Sequence, residues 1–140
     1  MPALSRWFIR ASLAYLVAGF SLGAFMLVAK AFARHGWTGL VLVPHVEFLL
    51  LGWTMQLTMG VAFWILPRFE GGTSRGAVGY AWMAFVLLNA GVPLVAAATA
   101  MDVSARDGGA AVRLAGRMAE VIAAAAFAGH AWRRIKRASV

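Results

Sequence analysis

No cysteine occurs among the 140 residues. That absence excludes disulfides, thiolate metal sites and the thioether attachment of a c-type haem, so any haem here must be held non-covalently. Charge is nearly as scarce. Only 13% of residues are charged while 62% are hydrophobic, and the mean hydropathy is +0.77; a soluble domain is nearer a quarter charged and half apolar. A water-facing surface cannot be made from this composition. Crossing a hydrocarbon core of roughly 30 Å takes about 20 apolar helical residues, so the length accommodates four crossings with short connections and no separate soluble domain. A single transmembrane domain over residues 1–140 is expected.

What charge there is runs basic, at +8. Lysines and arginines sit at the ends of apolar segments rather than along one stripe, which argues for topology signals and against nucleic-acid binding. Arg6 and Arg10 precede an apolar run as in a secretory signal, but the run is long and lacks a small-residue cleavage site, so it reads as the first helix. Ala11 to Ala29 carries no charge, with Trp7 and Lys30 as interface anchors. After Lys30, Arg34, His35 and Gly36, a second segment runs from about Gly39 to Leu66. Arg68, Phe69, Glu70, Gly71 and Gly72 break it, and a third uncharged run follows from Gly76 to Met101, with a bend expected near Asn89 and Pro93. Beyond Asp102, Arg106, Asp107, Gly108 and Gly109 lies a fourth segment, Ala110 to Trp132, that carries Arg113, Arg117 and Glu120.

Backbone polar groups must be satisfied inside lipid, so each crossing has to be helical. The expected fold is all-α: a polytopic membrane protein built as an antiparallel four-transmembrane-helix bundle. Arg6, Arg10, Arg68, Arg75, Arg133, Arg134, Lys136 and Arg137 fall on one side, against Lys30, Arg34 and Arg106 on the other. By the positive-inside rule both termini are cytoplasmic, in a bacterial inner membrane. Counting Arg113 and Arg117 with the second group narrows the contrast.

Ionisable groups at membrane depth are costly and face a bundle interior, a cavity or a partner. Here they are His45, Glu47, Arg113, Arg117, Glu120 and, near the other end, His130. His45 lies roughly 8 Å into the second helix at 1.5 Å per residue, so His45 and His130 are too far apart to ligate one metal within a chain. From His45, helical spacing places Leu49, Gly52, Gln56, Met59 or Gly60, and Phe63 on one face. Gly52 leaves space where a porphyrin could lie against the backbone; the same residues also make a small-xxx-small helix contact, the commoner use of such a face. Arg113, Arg117 and Glu120, at i, i+4 and i+7, share a face. The two arginines suit haem propionates, or an ion pair with Glu47 or Glu120, or snorkelling to the interface. Met26, Met101 and Met118 are thioether candidates at a similar level, although methionine in an apolar helix is usually filler.

The run Pro44-His45-Val46-Glu47-Phe48-Leu49-Leu50-Leu51-Gly52-Trp53, continuing to Gly60-Val-Ala-Phe-Trp-Ile-Leu-Pro67-Arg68-Phe69, resembles a histidine-bearing helix of haem-copper oxidase subunit I, in its cbb3-type oxidase and nitric oxide reductase branch. The shared pattern is a histidine near the start of an out-to-in helix, Gly-Trp two turns later, then Gly, aromatics and Leu-Pro-Arg at the exit. Leu88-Asn89-Ala90-Gly91 is a weaker likeness to short four-helix relatives. The resemblance implies that His45 ligates low-spin haem iron, with haem b as the cofactor; Arg113 and Arg117 have no motif match and stay with the charge argument above. Subunit I looks like three successive four-helix units, of which this chain resembles one. It implies further that self-association supplies the missing ligand, as a homotrimer first and a homodimer next. One copy lacks the further histidines that a binuclear centre needs, so complete oxidase or nitric oxide reductase activity is not expected of it.

The function expected is therefore a b-type haem-binding membrane protein in electron transfer or O2/NO sensing linked to respiration or denitrification, with lipid around it and a respiratory electron donor as partner. The alternative is a cofactor-free small transporter or assembly subunit that uses Glu47 or Glu120 as an intramembrane carboxylate. A hydrolytic site is not suggested, because no serine, histidine and acid set shares one depth.

Overall fold

The computed structural model describes residues 1–32, 36–67, 75–103 and 107–137. Arg34, His35, Arg68 and Arg106 lie outside the described residues. Helix α1 spans Ala3–Ala31. The second rod is continuous but changes pitch: α2 covers Gly36–Glu47, a π-helical stretch covers Phe48–Met55, and α3 covers Gln56–Ile65. Helix α4 spans Val78–Val103 with Pro93 inside it, and α5 spans Gly109–Arg137. No strand occurs among the described residues.

Three of the four rods, Ala3–Ala31, Thr38–Ile65 and Val78–Asp102, are long and apolar enough to cross a membrane. Their outer faces carry Val17, Phe20, Leu27, Leu50, Ile65 and Val86, all widely exposed, as suits contact with acyl chains. The fourth rod is as long as α1 but far more polar. Its arginines at 113, 117, 133 and 134 and Glu120 set α5 apart from the other three.

Helix α1 and the second rod pack antiparallel in a regular ladder. His45 meets Gly23, Leu49 meets Gly19, Gly52 meets Tyr15 and Gly60 meets Phe8. One number rises as the other falls by about the same amount, which is the register of two antiparallel helices. Phe8 is fully buried and reaches across the bundle, edge-on to Phe85 of α4 at 5.1 Å and Phe127 of α5 at 6.2 Å. Helices α4 and α5 approach most closely where glycines face each other. A Cβ on Gly91 would stand 2.8 Å from the Gly116 carbonyl, and one on Gly116 would stand 3.0 Å from that of Gly91. Small residues let backbones come together in this way in membrane proteins.

The exit of α3 is closed by one side chain. Pro67 cannot continue a helix and biases Leu66 away from the helical region, so the last carbonyls lack intrahelical donors. Arg134 of α5, 1% exposed, supplies them: Nη1 donates to Phe63 O at 3.0 Å, Nε to Pro67 O at 2.9 Å, and Nη2 to Leu66 O. Its guanidinium also stands 5.5 Å from the centre of the Phe63 ring.

Candidate intramembrane site

His45 follows Pro44 in the last turn of α2, and its partner is α1 rather than another polar side chain. Nδ1 is 2.8 Å from the Gly19 carbonyl oxygen. Since a carbonyl only accepts, this bond makes Nδ1 the protonated nitrogen and leaves the Nε2 lone pair free. The imidazole packs against Gly23, where a Cβ would come within 2.7 Å of Cε1. Beside the ring lies a groove of about 460 Å3 lined by Phe20, Gly23, Ala24, Met26 and Leu27 together with His45. Apart from the imidazole these walls are apolar. A histidine ligand commonly has its second ring nitrogen held by a carbonyl or carboxylate, so the residues around His45 fit an axial-ligand role.

The other sequence-predicted cofactor residues are otherwise engaged. Gly52 is buried beneath Tyr15, and a Cβ there would stand 2.5 Å from the ring at Cγ. Tyr15 itself packs on Phe48 at 5.4 Å, so this face of the rod belongs to helix packing and leaves no space for a porphyrin. Gln56, further along, is fully buried, and its Nε2 lies 3.4 Å from Asn89 Oδ1 of α4. Arg113 pairs with Asp102 across the α4–α5 turn, with both side chains more than 40% exposed. Arg117 joins α5 to α2. Its Nη2 is 2.8 Å from Glu47 Oε2 and its Nη1 donates to Glu47 Oε1 at 2.9 Å, while Nη1 also reaches Glu120 Oε2 at 3.0 Å. Glu47 and Glu120 are 4% and 6% exposed. Both arginines are thus taken up by carboxylates of their own chain, and a propionate is not needed to balance them.

His130 sits with the Arg134 cluster, stacked on Phe63 at 5.5 Å and 24°. Phe63 packs at the α3 exit, while His45 packs near the opposite end of the same rod. The two imidazoles do not meet. Among the described residues there is no group of three or more His, Asp or Glu side chains able to hold a metal ion.

Two contacts were not foreseen from the residues alone. By charge and position Arg134 is a topology signal, and the sequence mark of its capping role is Leu-Pro at the end of an apolar run, which leaves carbonyls to be satisfied. The Asp102–Arg113 pair bridges a loop whose geometry the sequence does not specify.

No family model, no curated protein and no solved structure matches this chain. The helices themselves define its class: an all-helical membrane protein with at least three rods suited to crossing the bilayer and a carboxylate–arginine cluster joining the second rod to α5.

Proposed function

We propose that this chain is a multi-pass protein of the bacterial cytoplasmic membrane that binds haem b through His45 and serves electron transfer or the sensing of O2 or NO. The observation that carries the reading is the Nδ1 contact to Gly19 O beside an apolar groove, which leaves Nε2 with a free lone pair. The likeness of the His45 helix to oxidase subunit I supports it by analogy. His45 would be the axial ligand, and Phe20, Ala24 and Leu27 the apolar walls. When bound, haem supplies one-electron redox chemistry or, with an open coordination position, gas binding. The protein's part is to orient the imidazole through Gly19 and to keep water from the ring.

The groove opens on the outside of the α1–α2 pair, so the site is half-built in one chain. A second copy supplies the remaining wall and its own His45, as a homotrimer first and a homodimer next; Met26, which lines the same groove, is the intrachain alternative as sixth ligand. In this reading α5 is a fourth crossing, its Arg117 and Glu120 neutralised against Glu47, and both termini are cytoplasmic.

The test compares absorption spectra and oligomer mass of wild type and His45→Ala, purified in mild detergent and reconstituted with haem. The expected result is a Soret band in the wild-type oligomer that is lost in His45→Ala while assembly is retained. A reconstituted wild type without a Soret band would remove haem and leave the cofactor-free transporter or assembly reading. A haem-loaded monomer would keep His45 and discard the shared site.

A further inference from the structure

We propose that Glu120 is a proton-binding group of the membrane interior, carrying a proton beside the Arg117–Glu47 pair. The cluster holds two carboxyl groups and one guanidinium. Glu47 receives two guanidinium nitrogens, one on each oxygen, which is the paired geometry an ionised carboxylate prefers. Glu120 receives one contact, on Oε2, from a nitrogen it shares with Glu47. Its other oxygen, Oε1, is buried and meets no hydrogen-bond donor among the described residues, on a side chain only 6% exposed. The two carboxyl groups meet at one guanidinium nitrogen, Arg117 Nη1, which contacts Glu47 Oε1 at 2.9 Å and Glu120 Oε2 at 3.0 Å. Two carboxylates that close cannot both stay ionised beside one cation without a net buried negative charge.

Depth sharpens the argument. With α5 as the fourth crossing of the proposed function, on which this inference rests, Glu120 is roughly 16 Å along α5 from Gly109 at 1.5 Å per residue, near the middle of a bilayer core. An unbalanced charge there is costly, whereas uptake of one proton turns the carboxylate into a neutral acid and leaves the cluster with one cation and one anion. Among the described residues no second cation is in ion-pair contact with Glu120. Helix α4 presents Gly91 to Glu120 and has no charged residue between Val78 and Met101; α1 has none between Ala11 and Ala29. Two further titratable side chains on the neighbouring rods are engaged elsewhere: His45, two residues before Glu47, is bonded to Gly19, and Tyr15 packs on Gly52 and Phe48. Arg113, one turn before Arg117, is held by Asp102.

The site therefore takes one proton, and its chemistry does not depend on haem at His45. The experiment uses the full-length, haem-free protein in lipid nanodiscs, so failure here and failure of haem binding are separate results. Infrared spectra at neutral pH should contain a protonated-carboxyl C=O band that shifts in D2O and is missing from Glu120→Gln. Glu120→Gln imitates the neutral acid without having to take up a proton on folding. As pH rises from the acidic range, where an unfolded carboxyl already ionises, wild type should lose thermal stability relative to Glu120→Gln, which keeps its own. Absence of the band in folded wild type, its survival in Glu120→Gln, or its removal by sodium ions at constant pH would each overturn the proposal.

Discussion

The imidazole of His45 rests on the backbone of Gly23, four residues along α1 from the Gly19 carbonyl that holds its Nδ1 at 2.8 Å. Position 23 is therefore the floor of the groove as well as a helix contact. A Cβ there would meet Cε1 at 2.7 Å, and the ring, being rigid, has to move for it to fit.

Gly23→Val is expected to displace the imidazole, with an overpacking cost of about 1–3 kcal/mol. If His45 ligates haem, the variant retains haem poorly while still assembling. Gly52→Ala, which intrudes on Tyr15, should cost a comparable amount in thermal stability yet leave the Soret band of the folded fraction unchanged. A Gly52 variant that folds normally but loses haem would return that residue to the cofactor site.

Arg117→Ala and Arg113→Ala should separate sharply. Loss of Arg117 leaves the buried Glu47 without its cation, and breaking a buried pair by removing one partner costs about 3–5 kcal/mol. Adding Glu47→Gln should recover much of that loss, because the stranded carboxylate is then removed and Glu120 is already neutral. Arg113 and Asp102 are each more than 40% exposed, so Arg113→Ala should cost under about 1 kcal/mol. Thermal melting in detergent measures all three, and equal losses for the two arginines would contradict the assignment.

Removing Arg134 should destabilise the protein by about 2–4 kcal/mol, since three carbonyls at the end of α3 lose a charged donor at once. Arg134→Lys should recover less than half, because one ammonium cannot reproduce a planar fork spread over Phe63, Leu66 and Pro67. Proteolysis or hydrogen exchange localised to the α3 exit reports the same defect. Full recovery by lysine would mean that charge alone, rather than the cap, matters there.

The cysteine-free chain allows a clean measurement of topology. Single cysteines at Ala3→Cys and Ala138→Cys should react with a membrane-impermeant thiol reagent only when the cytoplasmic face is exposed. Labelling of the two from opposite faces would leave three crossings and take α5 out of the bilayer.

Much of the architecture was legible because lipid imposes one requirement on every crossing: an apolar run long enough to span, with its hydrogen bonds satisfied within a helix. The uncharged run at 11–29 therefore falls inside α1, and that at 76–101 lies within α4 except for its first two residues. The helix ends were less legible. Helix α1 begins at Ala3 and α5 continues to Arg137, because amphipathic arginine-bearing turns extend helices beyond the apolar window. The π-helical stretch at Phe48–Met55 was not visible, since a change of hydrogen-bond spacing leaves no mark in a run of apolar residues.

The candidate site divides in the same way. Residue type and spacing were enough to single out His45, Glu47, Arg117 and Glu120 as groups that need partners at membrane depth, because desolvation cost depends on the side chain and its distance from the interface. Which partner each group takes depends on rotation and approach of neighbouring helices. Tertiary packing alone brought Gly19 to His45, set Tyr15 over Gly52, and turned Arg117 toward two carboxylates at once. A helical period tells which residues share a face but not what that face meets. Here α1 and α5 each came close enough to the second rod for a single hydrogen bond and a single guanidinium to decide the chemistry.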